Sequence, residues 1–364
     1  MKYFCENIYC MVTGRFSLVL FWSVLLSSQL LSQKSCYLIE DNEKYTYEMI
    51  SSDLDSLAKL FPERTELFSI GNSEFGLPIE VLRIGSGIPK KRSMLFVGNV
   101  HAREDYSSKF VMKFLNMYLL SFTGDSVIYN KAADYLDDLD LYFMPVANPD
   151  GLKIAHEDWV NIEKYVPEIN QIKRMETFAE WKANGKGIDL NDSFDDETHS
   201  LNKSYNYSPV PCSEGFKGKF AAEPIETQVI QKFVSEIRPL MTLSFHTKGD
   251  LIYWADSKTH AYFNGIDSLI NDAALSVSNF SRVKVSPDPS TYGGGLENYV
   301  RYQFGLLGSC VELSSGDSER KQFPDNEFNK RVWKKAWKIP TTCIELVIKY
   351  ANQIEAVSQK HKKG

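Results

Sequence analysis

Ser93-Met94-Leu95-Phe96-Val97-Gly98-Asn99 runs through Val100 into His101-Ala102-Arg103-Glu104. The first part is a short apolar run preceded by Lys90, Lys91 and Arg92, the pattern of a central strand buried on both faces. Residues 107–122 then follow with apolar residues at helical spacing. Similar units lie on both sides. Residues 45–60 read as a helix closed by Pro62, and Glu66–Ile70 and Ile79–Ile84 read as strands joined by a Gly/Asn/Ser-rich turn. Downstream, Leu139–Val146, Leu240–Phe245, Leu251–Trp254 and Gly308–Leu313 read as strands. Helices are expected near 170–183, 224–238, 259–280 and 327–353. Strands alternating with helices predict an α/β fold, with a mixed central β-sheet covered by helices on both faces.

The chain has 364 residues, 43% of them hydrophobic, enough for one large domain expected over 35–354. Lys and Arg number 41 against 47 Asp and Glu, a net charge of −6. No basic patch stands out beyond the Lys-rich end, expected as a polar tail over 355–364, so nucleic acid is set aside as a partner. Residues 17–31 form an apolar stretch behind Lys2 and Arg15, the layout of a secretory leader over 1–34. It is shorter than the ~20 residues of a comfortable bilayer span. Its n-region contains Glu6 and no clean small-x-small cleavage site follows, so cleaved leader and retained signal anchor both stand. The expected location is secreted or extracytoplasmic, with membrane contact only through that segment. Cys36, Cys212, Cys310 and Cys343 follow it and allow up to two disulfides of unassigned pairing.

Three positions carry chemistry at predicted strand ends. His101 and Glu104, three apart on a strand-to-helix turn, can converge on one ion. A catalytic zinc site takes three such protein ligands and leaves one position open. His246 closes the strand that begins at Met241. Glu312 lies inside the apolar run Ser309-Cys310-Val311-Glu312-Leu313, where a carboxylate is costly unless paired, metal-bound or functional. From about 152 to 222 the chain is polar and irregular, and long segments of this kind in a compact domain are usually functional or disordered.

The order of these motifs resembles the zinc carboxypeptidases of the M14 type. The resemblance runs through Gly71-Asn72-Ser73 with Gly76-Leu77-Pro78-Ile79, His101-x-x-Glu104, Asn148-Pro149-Asp150-Gly151, Gly187-Ile188-Asp189-Leu190-Asn191, His246 and Glu312. Within that family the chain is most similar to bacterial γ-D-glutamyl-diamino-acid endopeptidases. That likeness rests on His101 to Ser108, Trp181-Lys182-Ala183-Asn184, Asn191-Asp192, and Gly215-Phe216-Lys217-Gly218 with Glu223-Pro224-x-Glu226. The resemblance implies one zinc ion held by His101, Glu104 and His246, with Glu312 as general base. It also implies Lys182 as the group that stabilises the oxyanion, and a peptide or muropeptide substrate.

The departures bear on substrate. Asp192 stands where the carboxypeptidases have an Arg that clamps the terminal carboxylate, and Lys182 stands where they have the Arg that polarises the scissile carbonyl. Glu297 and Tyr292 match, loosely, an acid of the side-chain pocket and a substrate-capping Tyr. With Asn191 they form the expected substrate-binding set. An acidic pocket without the clamp suits a residue with an extra amine. Against this stand plainer roles: Asp192 as a helix N-cap, Glu297 as a solvated acid, Lys182 as a solvated helix residue. An ordinary metallocarboxypeptidase and a catalytically silent binding protein on the same fold are the alternative functions. His156, His199, His260 and His361 are expected at the surface, and Arg103 beside a ligand carboxylate or on substrate.

Overall fold

The computed structural model describes residues 44–123, 132–200, 207–283, 294–314 and 327–361. Eight strands form one sheet: β1 Thr65–Asn72, β2 Pro78–Ile84, β3 Ser93–Val97, β4 Asp140–Met144, β5 Met241–Thr247, β6 Leu251–Tyr253, β7 Ser281–Arg282 and β8 Leu307–Leu313. Their spatial order is β1-β2-β4-β3-β5-β8-β6-β7. The inner strands β4, β3, β5 and β8 run parallel. The pairs β1/β2, β2/β4 and β6/β8 are antiparallel, so the sheet is mixed as expected.

Every residue of β3, β4 and β5 is buried, which is why these strands read as continuous apolar runs rather than as an alternation. The longer helices are α1 Tyr47–Leu60, α2 Asp105–Leu120, α3 Ile225–Ile237, α4 Ile266–Ser276, α5 Leu296–Phe304 and α6 Lys338–His361. Among the described residues no helix is long and apolar enough to cross a membrane. Residues 17–31 lie outside the described residues.

Helix α5 and strand β7 have no counterpart among the elements expected from sequence, and two expected segments fold differently. Instead of a helix over 170–183 there is a short helix Val166–Ile172, then irregular chain with a 3-10 turn at Phe178–Glu180. The backbone there is held by another segment: Lys182 N and Ala183 N donate to Ser213 O at 2.9 and 3.0 Å, and Arg174 N to Ser213 Oγ at 3.3 Å. At the other end, the tail expected over 355–364 is helical through His361. Val347, Ala351, Ile354 and Ser358 continue one buried stripe, and Glu355 pairs with Arg92 at 2.8 Å. Cys212, Cys310 and Cys343 are buried free thiols, so no disulfide joins them.

A buried pair of acids ties the turn after β1 to the start of α3. Asp150 accepts from Ser73 Oγ at 2.5 Å and Phe75 N at 2.9 Å; Glu226 accepts from Asn184 Nδ2 at 3.0 Å and Glu74 N at 3.2 Å. Burial, and then the charge of Asp150, push the Glu226 carboxyl up to about 8. Its folded-state value thus lies above the unfolded one. The stability it contributes is complete below the ordinary carboxylate range and is lost as pH rises through about 8. Glu226→Gln, which cannot ionise, should flatten the fall in melting temperature between about pH 5 and 8. The wild type loses up to ~1.4 kcal/mol per pH unit across that window. An unchanged slope in the variant would place the pH dependence elsewhere.

Candidate active site

The site is assembled at the carboxyl ends of β3, β5 and β8, where open parallel sheets place ligands. The register of β5 and β8 sets Ser244 opposite Cys310 and His246 opposite Glu312. Partners in a parallel ladder share a face, so His246 and Glu312 project to the same side. The turn after β3 brings the other two residues over. Asn99 Nδ2 donates to His101 O and Ala102 O at 3.1 and 3.0 Å, and Ala102 N donates to Lys182 O at 3.0 Å. Glu104 is the N-cap residue of α2, yet its side chain makes no capping bond and turns into the site.

The structure therefore brings His101, Glu104 and His246 together, 6%, 5% and 0% exposed. His101 Nδ1 lies 2.9 Å from Glu104 Oε1 and 3.0 Å from His246 Nδ1, and His246 Nδ1 lies 3.1 Å from Glu104 Oε2. Two imidazole nitrogens and a carboxylate so disposed are a zinc donor set that leaves a position open. Burial alone would raise Glu104, but the imidazoles of His101 and His246 hold it well below the ordinary carboxylate range. Burial alone would lower His101, but the carboxylates of Glu104 and Asp189 outweigh it and hold it at about 9. A site that favours positive charge so strongly while buried suits a cation.

His246, Cys310 and Glu312 also offer donor atoms within 4.8 Å of one another. Burial, and then Glu312, raise the Cys310 thiol well above its ordinary value, so it stands as a neutral thiol, a poor ligand beside the ionised Glu104. Glu312 is better placed as a base. Burial, and then the charge of Glu104, push its carboxyl up to about 7, and its Oε2 has no hydrogen-bond partner.

Asp189 was not singled out by sequence, although the motif holding it was. Fully buried, it sets one oxygen 3.3 Å from His101 Nε2 and the other 2.6 Å from Lys182 Nζ. A carboxylate behind a metal-facing His fixes the ring orientation. His246 Nε2 has its own partner, Ser244 Oγ at 3.0 Å. Lys182 lies in irregular chain rather than on a helix, its side chain 19% exposed. Burial would lower its pKa, but Asp189 and then Asp192 hold it above the ordinary lysine value, so it is a fixed cation.

Of the expected substrate residues, Asn191 and Asp192 close a 3-10 turn beside Asp189, which is itself the N-cap, so Asp192 is not. The Asn191 Oδ1 is buried without a hydrogen-bond partner. Glu297 opens α5 at 5% exposure and is no solvated surface acid. Two glycines let these segments meet. A Cβ on Gly294 would stand 2.7 Å from the Asp192 Cα, and one on Gly295 2.5 Å from Glu297 Oε1. Tyr292 lies outside the described residues.

Arg103, expected beside a ligand carboxylate or on substrate, is paired with Glu214 at 3.1 and 3.4 Å. The remaining histidines are more engaged than expected. His199 is buried, His156 meets Asp105 at 3.0 Å, His260 meets Asp267 at 2.8 Å, and His361 meets Tyr302 O at 2.6 Å.

Known proteins resemble this chain in sequence and in fold. The chain is 27% identical over 305 residues to a γ-D-glutamyl-L-diamino acid endopeptidase of Lysinibacillus sphaericus, covering 80% of this chain and 70% of that one. It is 22% identical to a carboxypeptidase B of Astacus astacus, over 78% of this chain and 90% of the other. The fold superposes on carboxypeptidase A from Helicoverpa armigera with a TM-score of 0.65 at 19% identity, covering 91% and 81% of the two chains. The profile described as zinc carboxypeptidase matches residues 50–339. The cofactor of such enzymes is one zinc ion, which His101, Glu104 and His246 would hold. The chain belongs to the zinc carboxypeptidase family, peptidase M14, and is a zinc metallopeptidase.

Proposed function

We propose that the chain hydrolyses an amide bond whose amine side is a diamino acid, in peptidoglycan-type peptides, outside the cytoplasm. The observation that carries this reading is Asp192. An acid stands where the family resemblance calls for a carboxylate-binding Arg; Gly294 closes on its backbone, and the next residue, Gly295, closes on the buried Glu297. An acid at that position repels a terminal α-carboxylate and attracts an ammonium group. The activity for which the Lysinibacillus relative is named supports the same substrate class. The apolar residues 17–31 behind Lys2 and Arg15 support export, either as a cleaved leader or as an anchor. Recovery of the chain with Met1 intact from the cytoplasm alone would contradict that part.

When bound, zinc supplies Lewis-acid polarisation of the carbonyl and acidifies water towards a pKa of ~7. Glu312 takes a proton from the attacking water and delivers it to the departing amine. Lys182, held as a cation by Asp189, faces the negative charge that grows on the carbonyl oxygen. Being an ammonium, it acts as a point charge without the bidentate fork of an Arg. Asp189 and Ser244 orient the two imidazoles, and Asn191 offers its buried amide oxygen to substrate.

Asp192→Ala should raise KM for amine-bearing substrates, with little effect on matched substrates that lack the amine. Charge-assisted hydrogen bonds contribute ~1.5–3 kcal/mol, roughly tenfold or more in KM. Asp192→Arg should move preference towards a free α-carboxylate. Equal losses of kcat/KM on both substrate types would sink the proposed contact.

The second reading, a metallocarboxypeptidase removing basic C-terminal residues, is favoured by the buried Glu297, which could receive a Lys or Arg side chain, and by the Astacus relative. Blocking the substrate C-terminus separates the two, since it would abolish only the exopeptidase.

A further inference from the structure

A cleft of about 720 Å³ is lined in part by Asp195, Glu197, Lys217, Lys219, Tyr207 and Phe220. That volume is in the range of sites that hold several residues of a ligand. The cleft adjoins the turn that holds Asp189 and Asp192. Asp189 N donates to Phe216 O at 2.6 Å and Ala222 N to Ser193 O at 2.6 Å, which lays residues 216–222 along 189–193. Lys217 is thereby brought within the electrostatic reach of the Asp192 carboxylate. Going along the chain from Asp192, Asp195 and Glu197 are already in the cleft wall, while Asp196 between them is buried.

The chemistry of the lining points to one occupant. Beyond the amine-side residue of the cleaved bond, an exopeptidase must bind a terminal carboxylate, and Asp192 is the wrong charge for that. A chain that continues puts a neutral amide next to Asp192 and carries its own carboxylate one residue further, about 3.3–3.6 Å along an extended backbone. There the wall supplies ammonium groups, Lys217 and Lys219. Of the two acids, Glu197 is engaged by Lys258 at 3.3 Å and Asp195 is exposed. The Lys217 Nζ is positioned by a hydrogen bond to His199 O at 2.5 Å, and that ring by Lys217 O at 3.1 Å. Tyr207 and Phe220, 59% and 60% exposed, give the cleft an aromatic lip.

We propose that this cleft binds the part of the substrate that follows the amine-side residue, with its terminal carboxylate against Lys217, so that the enzyme releases a peptide rather than a single amino acid. The proposal rests on the peptidase reading above and adds the direction in which the substrate continues.

The test uses the zinc-loaded full chain and three peptides sharing one scissile bond. They end in the diamino acid itself, in the diamino acid plus Ala with a free carboxylate, and in that same dipeptide as the amide. The expected order puts the extended free acid first, by roughly tenfold or more in kcat/KM over its amide, the size that a charge-assisted hydrogen bond carries. Lys217→Met should bring the acid-to-amide ratio close to one, and Lys217→Arg should restore it. Both readouts are ratios within one variant, so a partial loss of folded enzyme does not mimic the effect. Equal rates on acid and amide in the wild type, or a ratio untouched by Lys217→Met, would overturn the cleft assignment and leave the peptidase reading standing. Fastest release of the lone diamino acid would overturn it in favour of an exopeptidase. Hydrolysis of none of the three would overturn the diamino-acid reading and the cleft assignment with it.

Discussion

Glu312→Gln is expected to keep zinc content and melting temperature while lowering kcat by about 10²–10⁴-fold, the range that general-base action supplies. Glutamine has the shape of glutamate but cannot take a proton. Glu312 sits in β8 opposite His246, and a donor atom of each lies within 4.8 Å of the other. Its Oε2 is buried with no hydrogen-bond partner, and its carboxyl is pushed up to about 7, so it can accept and release a proton near neutrality. Few contacts are lost in the substitution: among the described residues, the carboxylate accepts a long hydrogen bond from Cys310 Sγ at 3.9 Å. Near-normal turnover in the variant would remove Glu312 from the mechanism.

His246→Ala should abolish both stoichiometric zinc and activity. The ring is fully buried, and its Nδ1 stands 3.0 Å from His101 Nδ1 and 3.1 Å from Glu104 Oε2. With one of three protein ligands gone, two donors remain, fewer than a catalytic zinc site uses. His101 and Glu104 stay paired at 2.9 Å, so the charge of Glu104 is not stranded when the second imidazole is removed. Metal analysis of the purified variant, with circular dichroism to show that it has folded, decides the matter. A folded variant carrying one zinc per chain would contradict the ligand assignment.

Much of this site is legible in the sequence because β3, β5 and β8 are buried on both faces. A polar residue in or just after such a run stands out against it, as His101, His246 and Glu312 do. Asp189 does not stand out. It lies in a polar, irregular segment, and its place behind His101 depends on a chain path set by hydrogen bonds to Ser213 and Phe216. The same tertiary bonds explain the missing helix near 170–183, where local spacing suggested one but the backbone donors are used elsewhere. For Lys182 the structure removes the plainer of the two expected roles, a solvated helix residue, because Asp189 binds its ammonium at 2.6 Å. At the C-terminus, Lys360, Lys362 and Lys363 suggested a tail, whereas the apolar stripe through Ile354 carries the helix to His361. Polar composition says little where one buried residue per turn is enough to hold a helix down.

The most direct test of a zinc peptidase acting next to a diamino acid is mass-spectrometric analysis of a defined γ-D-glutamyl–diamino acid–Ala peptide after incubation with the purified chain. The incubation is run with zinc, with a chelator, and with zinc added back. The predicted result is a single cut on the amine-acceptor side, between the glutamyl residue and the diamino acid, lost on chelation and restored by zinc. Release of the terminal Ala alone, or a cut that persists in the chelated protein, would contradict it.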